Sequence, residues 1–131
     1  MTIPQRLEMY IDGELGDSAL YKELAKTAPN DKFKELFLEF SEDEMSHAVE
    51  FKRIYKILTG KNYNPVIRPP VLEGTFEDIL RDRVLDESGD FRKYGEQFIK
   101  TDKNYALRNA YYKARTDENV HALRLLYMLS Y

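Results

Sequence analysis

The chain has no cysteine, only two histidines, six glycines and five prolines in 131 residues. Without cysteine there is no disulfide, thiolate zinc site, iron–sulfur centre or cysteine nucleophile, so any metal must be held by carboxylates and imidazoles. Sparse Gly and Pro beside plentiful Glu, Lys, Leu and Tyr favour helices over a sheet. A dominant charge is missing as well: the net charge is −3, and Lys and Arg alternate with Asp and Glu without forming a basic arm. That pattern argues against nucleic acid or an anionic membrane as a partner. The opening MTIPQRLEMYIDGE lacks the apolar run of a signal peptide, and no later stretch approaches a membrane span, so a cytoplasmic location is expected. A chain of this length is expected to form one domain, residues 1–131, with its own core.

What punctuation there is marks four long segments. Pro4 suits the first turn of a helix over about 4–28, which Thr27-Ala28-Pro29-Asn30 ends. Asn30 or Asp31 caps a second helix over 31–59, stopped by Gly60. Residues 60–74, GKNYNPVIRPPVLEG, contain three prolines and cannot be helical. Thr75 and Asp78 form a capping-box pattern that opens a third helix over 75–100. Thr101 or Asp102 is expected to cap the fourth, over 102–130.

Both histidines sit in one six-residue frame, Asp-Glu-x-x-His-Ala, at Asp43–Ala48 and again at Asp117–Ala122. With 13 Glu in 131 residues, a Glu three places before each His arises by chance about once in a hundred such chains. Apolar periodicity turns both motifs inward. Phe33, Phe37, Phe40, Glu44, His47, Phe51, Ile54 and Leu58 follow steps of four and three, as do Leu107, Tyr111, Ala114, Glu118, His121, Leu125 and Met128. In the first helix Leu7, Tyr10, Glu14, Asp17, Tyr21 and Leu24 share a face. In the third Leu80, Glu87, Asp90, Tyr94 and Phe98 do so, with Arg83 or Val84 between. Each helix therefore puts a Glu where a core residue belongs.

Heights agree. Glu14 and Glu44 are equally far from Pro29, and the midpoint of Glu87 and Glu118 falls at Asp102, so antiparallel hairpins turning there level each pair. Glu14-x-Gly16-Asp17-x-x-x-Tyr21 recurs as Glu87-x-Gly89-Asp90-x-x-x-Tyr94 at a displacement of 73, and the Glu-x-x-His motifs recur at 74, which reads as an internal repeat of two helical hairpins. If a twofold axis relates them, the second and third helices are parallel. The extended 60–74 segment, reaching about 45–50 Å, is long enough to cross over between them.

Four carboxylates and two imidazoles in an apolar interior repel one another and cost several kcal/mol per uncompensated charge. Divalent metal removes that cost. Oxygen and imidazole donors suit iron or manganese, and two lone Glu plus two Glu-x-x-His helices is the ligand pattern of di-iron and di-manganese carboxylate bundles. Asp17 and Asp90, one turn beyond the lone Glu residues, are either further ligands or hydrogen-bonding partners. Tyr21 and Tyr94 read as core aromatics or as hydroxyls bonded to ligand carboxylates.

On Gly13-Glu14 with Tyr21, Glu44-x-x-His47-Ala48, Glu87-x-x-Asp90 and Glu118-x-x-His121, the chain resembles the ferritin-like superfamily, and within it the erythrin domain of the rubrerythrins, over essentially its whole length. The resemblance implies an all-α ferritin-like four-helix bundle of two antiparallel hairpins joined by a long crossover. It implies two iron ions, with manganese as the alternative, on Glu14, Glu44, His47, Glu87, Glu118 and His121. The family's seventh carboxylate maps to Asp90, where Asp replaces the usual Glu. Its rubredoxin-like Cys₄ domain has no counterpart here, so electrons are expected from a separate donor such as a rubredoxin-like protein. The implied activity is reduction of hydrogen peroxide or O₂, with Asp90, Tyr21 or Tyr94 relaying protons, in a homodimer or small homo-oligomer. A ferroxidase or iron-storage role and a di-manganese catalase are the alternatives, and a metal-free helical interaction module the last.

Overall fold

The computed structural model describes residues 1–131 and contains four helices and no strand: α1 (Ile3–Lys26), α2 (Asp31–Thr59), α3 (Phe76–Lys100) and α4 (Tyr105–Leu129). Four helices paired as α1 on α2 and α3 on α4 match the all-α four-helix architecture expected from the sequence. The chain falls into two compact units, Met1–Val71 and Leu72–Tyr131, each holding one hairpin.

Local chemistry sets most of the helix ends. The Thr2 hydroxyl accepts from the Gln5 amide at 3.2 Å while the Gln5 side chain accepts from the Thr2 amide at 2.9 Å, a reciprocal capping box with Pro4 in the first turn. Asn30 accepts from the Phe33 amide at 2.9 Å and starts α2. Gly60 ends α2 in the left-handed region at φ 73°, its N–H donating to the Lys56 carbonyl at 2.8 Å. Thr75 and Asp78 form the expected capping box. The start of the fourth helix differs from expectation. Thr101 closes α3 instead, its hydroxyl donating to the Gln97 carbonyl at 2.8 Å, and Asn104 caps α4 by accepting from the Leu107 amide at 3.0 Å. An Asn at that place satisfies an otherwise orphaned first-turn N–H, so α4 begins at Tyr105 and not at residue 102. The first helix likewise stops at Lys26, short of 28.

Contacts in unit 1 run antiparallel. Tyr10 packs on Phe51 at 5.9 Å between ring centroids, Glu14 faces His47, Ser18 bonds Ser41, and Tyr21 stacks on Phe37 at 6.2 Å. Unit 2 repeats the ladder. Glu87 faces His121, Arg115 lies over the Phe91 ring at 4.6 Å, and Tyr94 stacks on Tyr111 at 6.1 Å. The displacement of 73 on one helix and 74 on the other, read from the sequence, is thus a repeat of geometry. One rung changes its chemistry. Where unit 1 has the small pair Ser18–Ser41, unit 2 has Phe91–Arg115, and a Cβ added at Gly95 would meet Arg115 Nε at 3.3 Å, so this glycine leaves room for the guanidinium.

The stripes are buried with four exceptions. Leu58, in the last turn of α2 at the open end of its hairpin, is 43% exposed. Asp17, Asp90 and Phe98 are half-buried. The 60–74 segment has no regular structure, as expected. Its first part follows α1: the Tyr63 hydroxyl donates to Asp12 at 2.8 Å, and farther on Ile67, Arg68, Pro69 and Pro70 border a cavity shared with Leu15, Ser18, Ala19, Lys22 and Met45. No helix is long and apolar enough to cross a membrane.

Candidate metal centre

Each hairpin buries one triad of potential ligands. In unit 1, α1 supplies Glu14 and α2 supplies Glu44 and His47, which lie on one face because residues three apart are helical neighbours. His47 Nδ1 stands 3.4 Å from Glu14 Oε2 and 3.5 Å from Glu44 Oε1. In unit 2, His121 Nδ1 stands 3.5 Å from Glu87 Oε1 and 3.4 Å from Glu118 Oε1. The two triads agree within 0.1 Å in these distances. Within each, the donor atoms lie within 4.8 Å of one another, and no member is more than 4% exposed.

Spacings of 3.4–3.5 Å are longer than a good N–H···O bond. The imidazoles and carboxylates converge on a common point without being bonded to one another as short charge-assisted pairs would be. Two carboxylates and one imidazole per triad, without sulfur, form a hard, oxygen-rich donor set that fits iron or manganese. A divalent ion would compensate charges that burial otherwise makes costly. The sequence-derived ligands Glu14, Glu44, His47, Glu87, Glu118 and His121 therefore fall into two complete triads, each compatible with a metal ion.

A family comparison places the chain. The family model described as Rubrerythrin matches residues 5–77, more than half of the chain, including the whole of the first triad. The chain belongs to the rubrerythrin family. The second triad lies beyond the matched residues, and the geometric repeat relates it to the first. The chain is also 26% identical over 127 residues to "Uncharacterized protein YhjR" of Bacillus subtilis (strain 168), spanning 95% of this chain and 85% of that protein. No solved structure gives a significant match.

The remaining residues singled out in the sequence lie around these triads. Asp90, with a half-buried side chain, accepts from Lys93 Nζ at 3.0 Å and has an oxygen within 4.8 Å of one of Glu118. Asp17 is half-buried one turn beyond Glu14. Tyr21 and Tyr94 are fully buried two turns beyond Glu14 and Glu87, as members of the aromatic ladder; Tyr21 also meets Phe40 edge-on at 5.3 Å, and Lys93 Nζ lies 4.7 Å from the Tyr94 ring centroid.

Two sets of contacts escaped the sequence reading. Ser18 and Ser41 are buried and bonded to each other one turn from Glu14 and Glu44. Arg83 is only 6% exposed and donates to both Asp86, at 3.1 Å, and Glu87, at 3.2 Å. The spacing Leu80, Arg83, Glu87 put this arginine on the buried stripe, which was the available signal.

Proposed function

We propose that this rubrerythrin-family protein is a non-haem di-iron carboxylate oxidoreductase that reduces hydrogen peroxide, with O₂ as the competing oxidant, using electrons from a separate donor. The observation that carries the reading is the pair of matched buried triads, Glu14/Glu44/His47 and Glu87/Glu118/His121. In this reading Glu14, Glu44 and His47 would hold one ion and Glu87, Glu118 and His121 another. When bound, two ferrous ions supply the Lewis acidity and the two electrons that cleavage of the O–O bond requires.

The balance is one peroxide, two electrons and two protons to two waters, so the chain must deliver protons to a dry site. Asp90 suits that task. It has an oxygen within 4.8 Å of one of Glu118, is 24% exposed at its side chain and is held by Lys93, so it stands between the triad and solvent. Tyr21 and Tyr94 line the apolar wall on the turn side of each triad and exclude water there, and their hydroxyls are the other candidates for a relay.

The test is rapid mixing of the reduced, iron-loaded protein with peroxide and, separately, with O₂. Faster oxidation by peroxide supports the reading; oxidation much faster by O₂ overturns it. Solution mass adds a second arm, since a small oligomer fits the oxidoreductase and a hollow cage of many subunits would turn the reading towards iron storage.

A further inference from the structure

Within unit 1, the strap that follows α2 encloses a cavity of about 270 Å³ against the hairpin. Leu15 and Ala19 on α1, Met45 on α2, and Ile67, Pro69 and Pro70 on the strap form its apolar wall. The two prolines hold a fixed φ and present no N–H, so that stretch of wall is stiff and offers no main-chain donor. The internal repeat does not carry this wall. A displacement of 73 maps Leu15, Ala19 and Lys22 onto Ser88, Arg92 and Gly95, and one of 74 maps Met45 onto Asn119. A helical hairpin of this kind therefore folds without these side chains.

Charge at the rim has one sign. Lys22 from α1 and Arg68 from the strap border the cavity, and no acidic side chain lines it. Both cations are exposed, and neither has an ion-pair partner, although Asp and Glu outnumber Lys and Arg by 23 to 20 in the chain. An apolar wall with a few polar groups at one end is the build of a small-molecule site. Two cations complement one anionic head, and the planar fork of Arg68 matches a carboxylate. The volume lies just under the ~300–1,000 Å³ of sites for drug-sized ligands. At ~30 Å³ for a group the size of a water molecule, it admits about nine such groups, which is the size of a medium-chain carboxylate.

We propose that this cavity binds a small amphipathic carboxylate, with its apolar tail between α1 and the strap and its head between Lys22 and Arg68. Lys22 follows Glu14 by two turns, about 12 Å along α1, so the head sits at the surface and apart from the metal-ligand triad. The inference is therefore independent of the di-metal reading.

The experiment is calorimetric titration of the full chain with sodium octanoate at low ionic strength, with hexanoate, acetate and octylammonium as comparisons. One octanoate per chain is expected, with hexanoate roughly tenfold weaker for the loss of two buried methylenes. Acetate, which has the head without the tail, and octylammonium, which has the tail with the opposite charge, are expected to give no saturable heat. Replacing both rim cations, Lys22→Met with Arg68→Met, is expected to weaken octanoate about tenfold, and both positions are exposed, so the fold is untouched. Ala19→Phe, which fills the cavity, is expected to abolish binding; the rim variant decides the matter if this one does not fold. The proposal is overturned if octanoate gives no saturable binding, if acetate or octylammonium binds as well as octanoate, or if the rim variant binds octanoate as the wild type does.

Discussion

Ser18 and Ser41 each donate to the other's main-chain carbonyl oxygen, at 2.9 and 2.8 Å, across the first hairpin and one turn from Glu14 and Glu44. The two hydroxyls also lie 3.0 Å apart. Such reciprocal bonding between small buried residues draws α1 and α2 together and locks their register where the candidate ligands meet. Replacing both by alanine is expected to cost about 1–3 kcal/mol, with a favourable coupling in the double-mutant cycle, because either single change removes the contact between the two hydroxyls while the remaining one keeps its carbonyl acceptor. Urea unfolding of the two single variants and the double variant measures it; additive effects would show that the serines do not act as a pair.

Metal binding is expected to stabilise the fold visibly. At a free metal concentration one hundred times the dissociation constant, binding adds about 2.7 kcal/mol, roughly 10 °C in Tm for a chain of this size. A chelator should remove that gain. The Glu44→Gln, Glu118→Gln double variant should fail to respond to metal and yet, in the metal-free state, melt higher than the wild type. Neutral amides lack the buried charges that the apo-protein must tolerate. Differential scanning calorimetry with and without chelator reads both effects.

Asp90→Ala should separate ligation from proton delivery. If Asp90 carries protons, the variant keeps two metal ions per chain and loses roughly 100-fold in peroxide turnover, within the usual range for a positioned acid–base group. Loss of one ion in elemental analysis would instead make Asp90 a ligand. Lys93→Met, which removes the 3.0 Å partner of Asp90, should shift the pH profile of turnover without changing metal content.

The strap after α2 has a pH signature. Burial, then the hydrogen bond to Asp12 and its negative charge, push the Tyr63 hydroxyl from 10.0 up to about 12. The folded protein holds this proton more tightly than the unfolded chain does, so the contribution to stability is complete below pH 10 and disappears as pH rises through about 12. Ultraviolet titration of tyrosinate should show a late-ionising contribution that Tyr63→Phe removes, beside that of Tyr55, which burial and its bond to Glu8 also push up. The same variant should cost no more than about 1 kcal/mol, since the bond lies at the surface.

Reading the chain as letters went furthest where the physics is local. Side chains three and four apart on a helix must share a face, so Glu44 with His47 and Glu118 with His121 were legible from spacing, as were their opposites Glu14 and Glu87 from equal distances to the turns. Gly60 and the Thr75–Asp78 box acted at the positions where they stand because caps act within three residues. The start of α4 was misplaced because Thr101, Asp102 and Asn104 all cap helices well, and only the competition for the Gln97 carbonyl and the Leu107 amide separates them.

By itself, then, the sequence determined the helices, their inward faces, the internal repeat and the six buried Glu and His side chains, since each follows from backbone periodicity and short-range hydrogen bonding. Tertiary structure alone decided that Ser18 meets Ser41, that Arg115 fills the same rung of the second hairpin, that Asp90 pairs with Lys93, and that Arg83 turns inward to grip Glu87. These depend on which long side chains find room and partners between packed helices. Burial and competition among neighbours settle that, and no spacing along the chain encodes either.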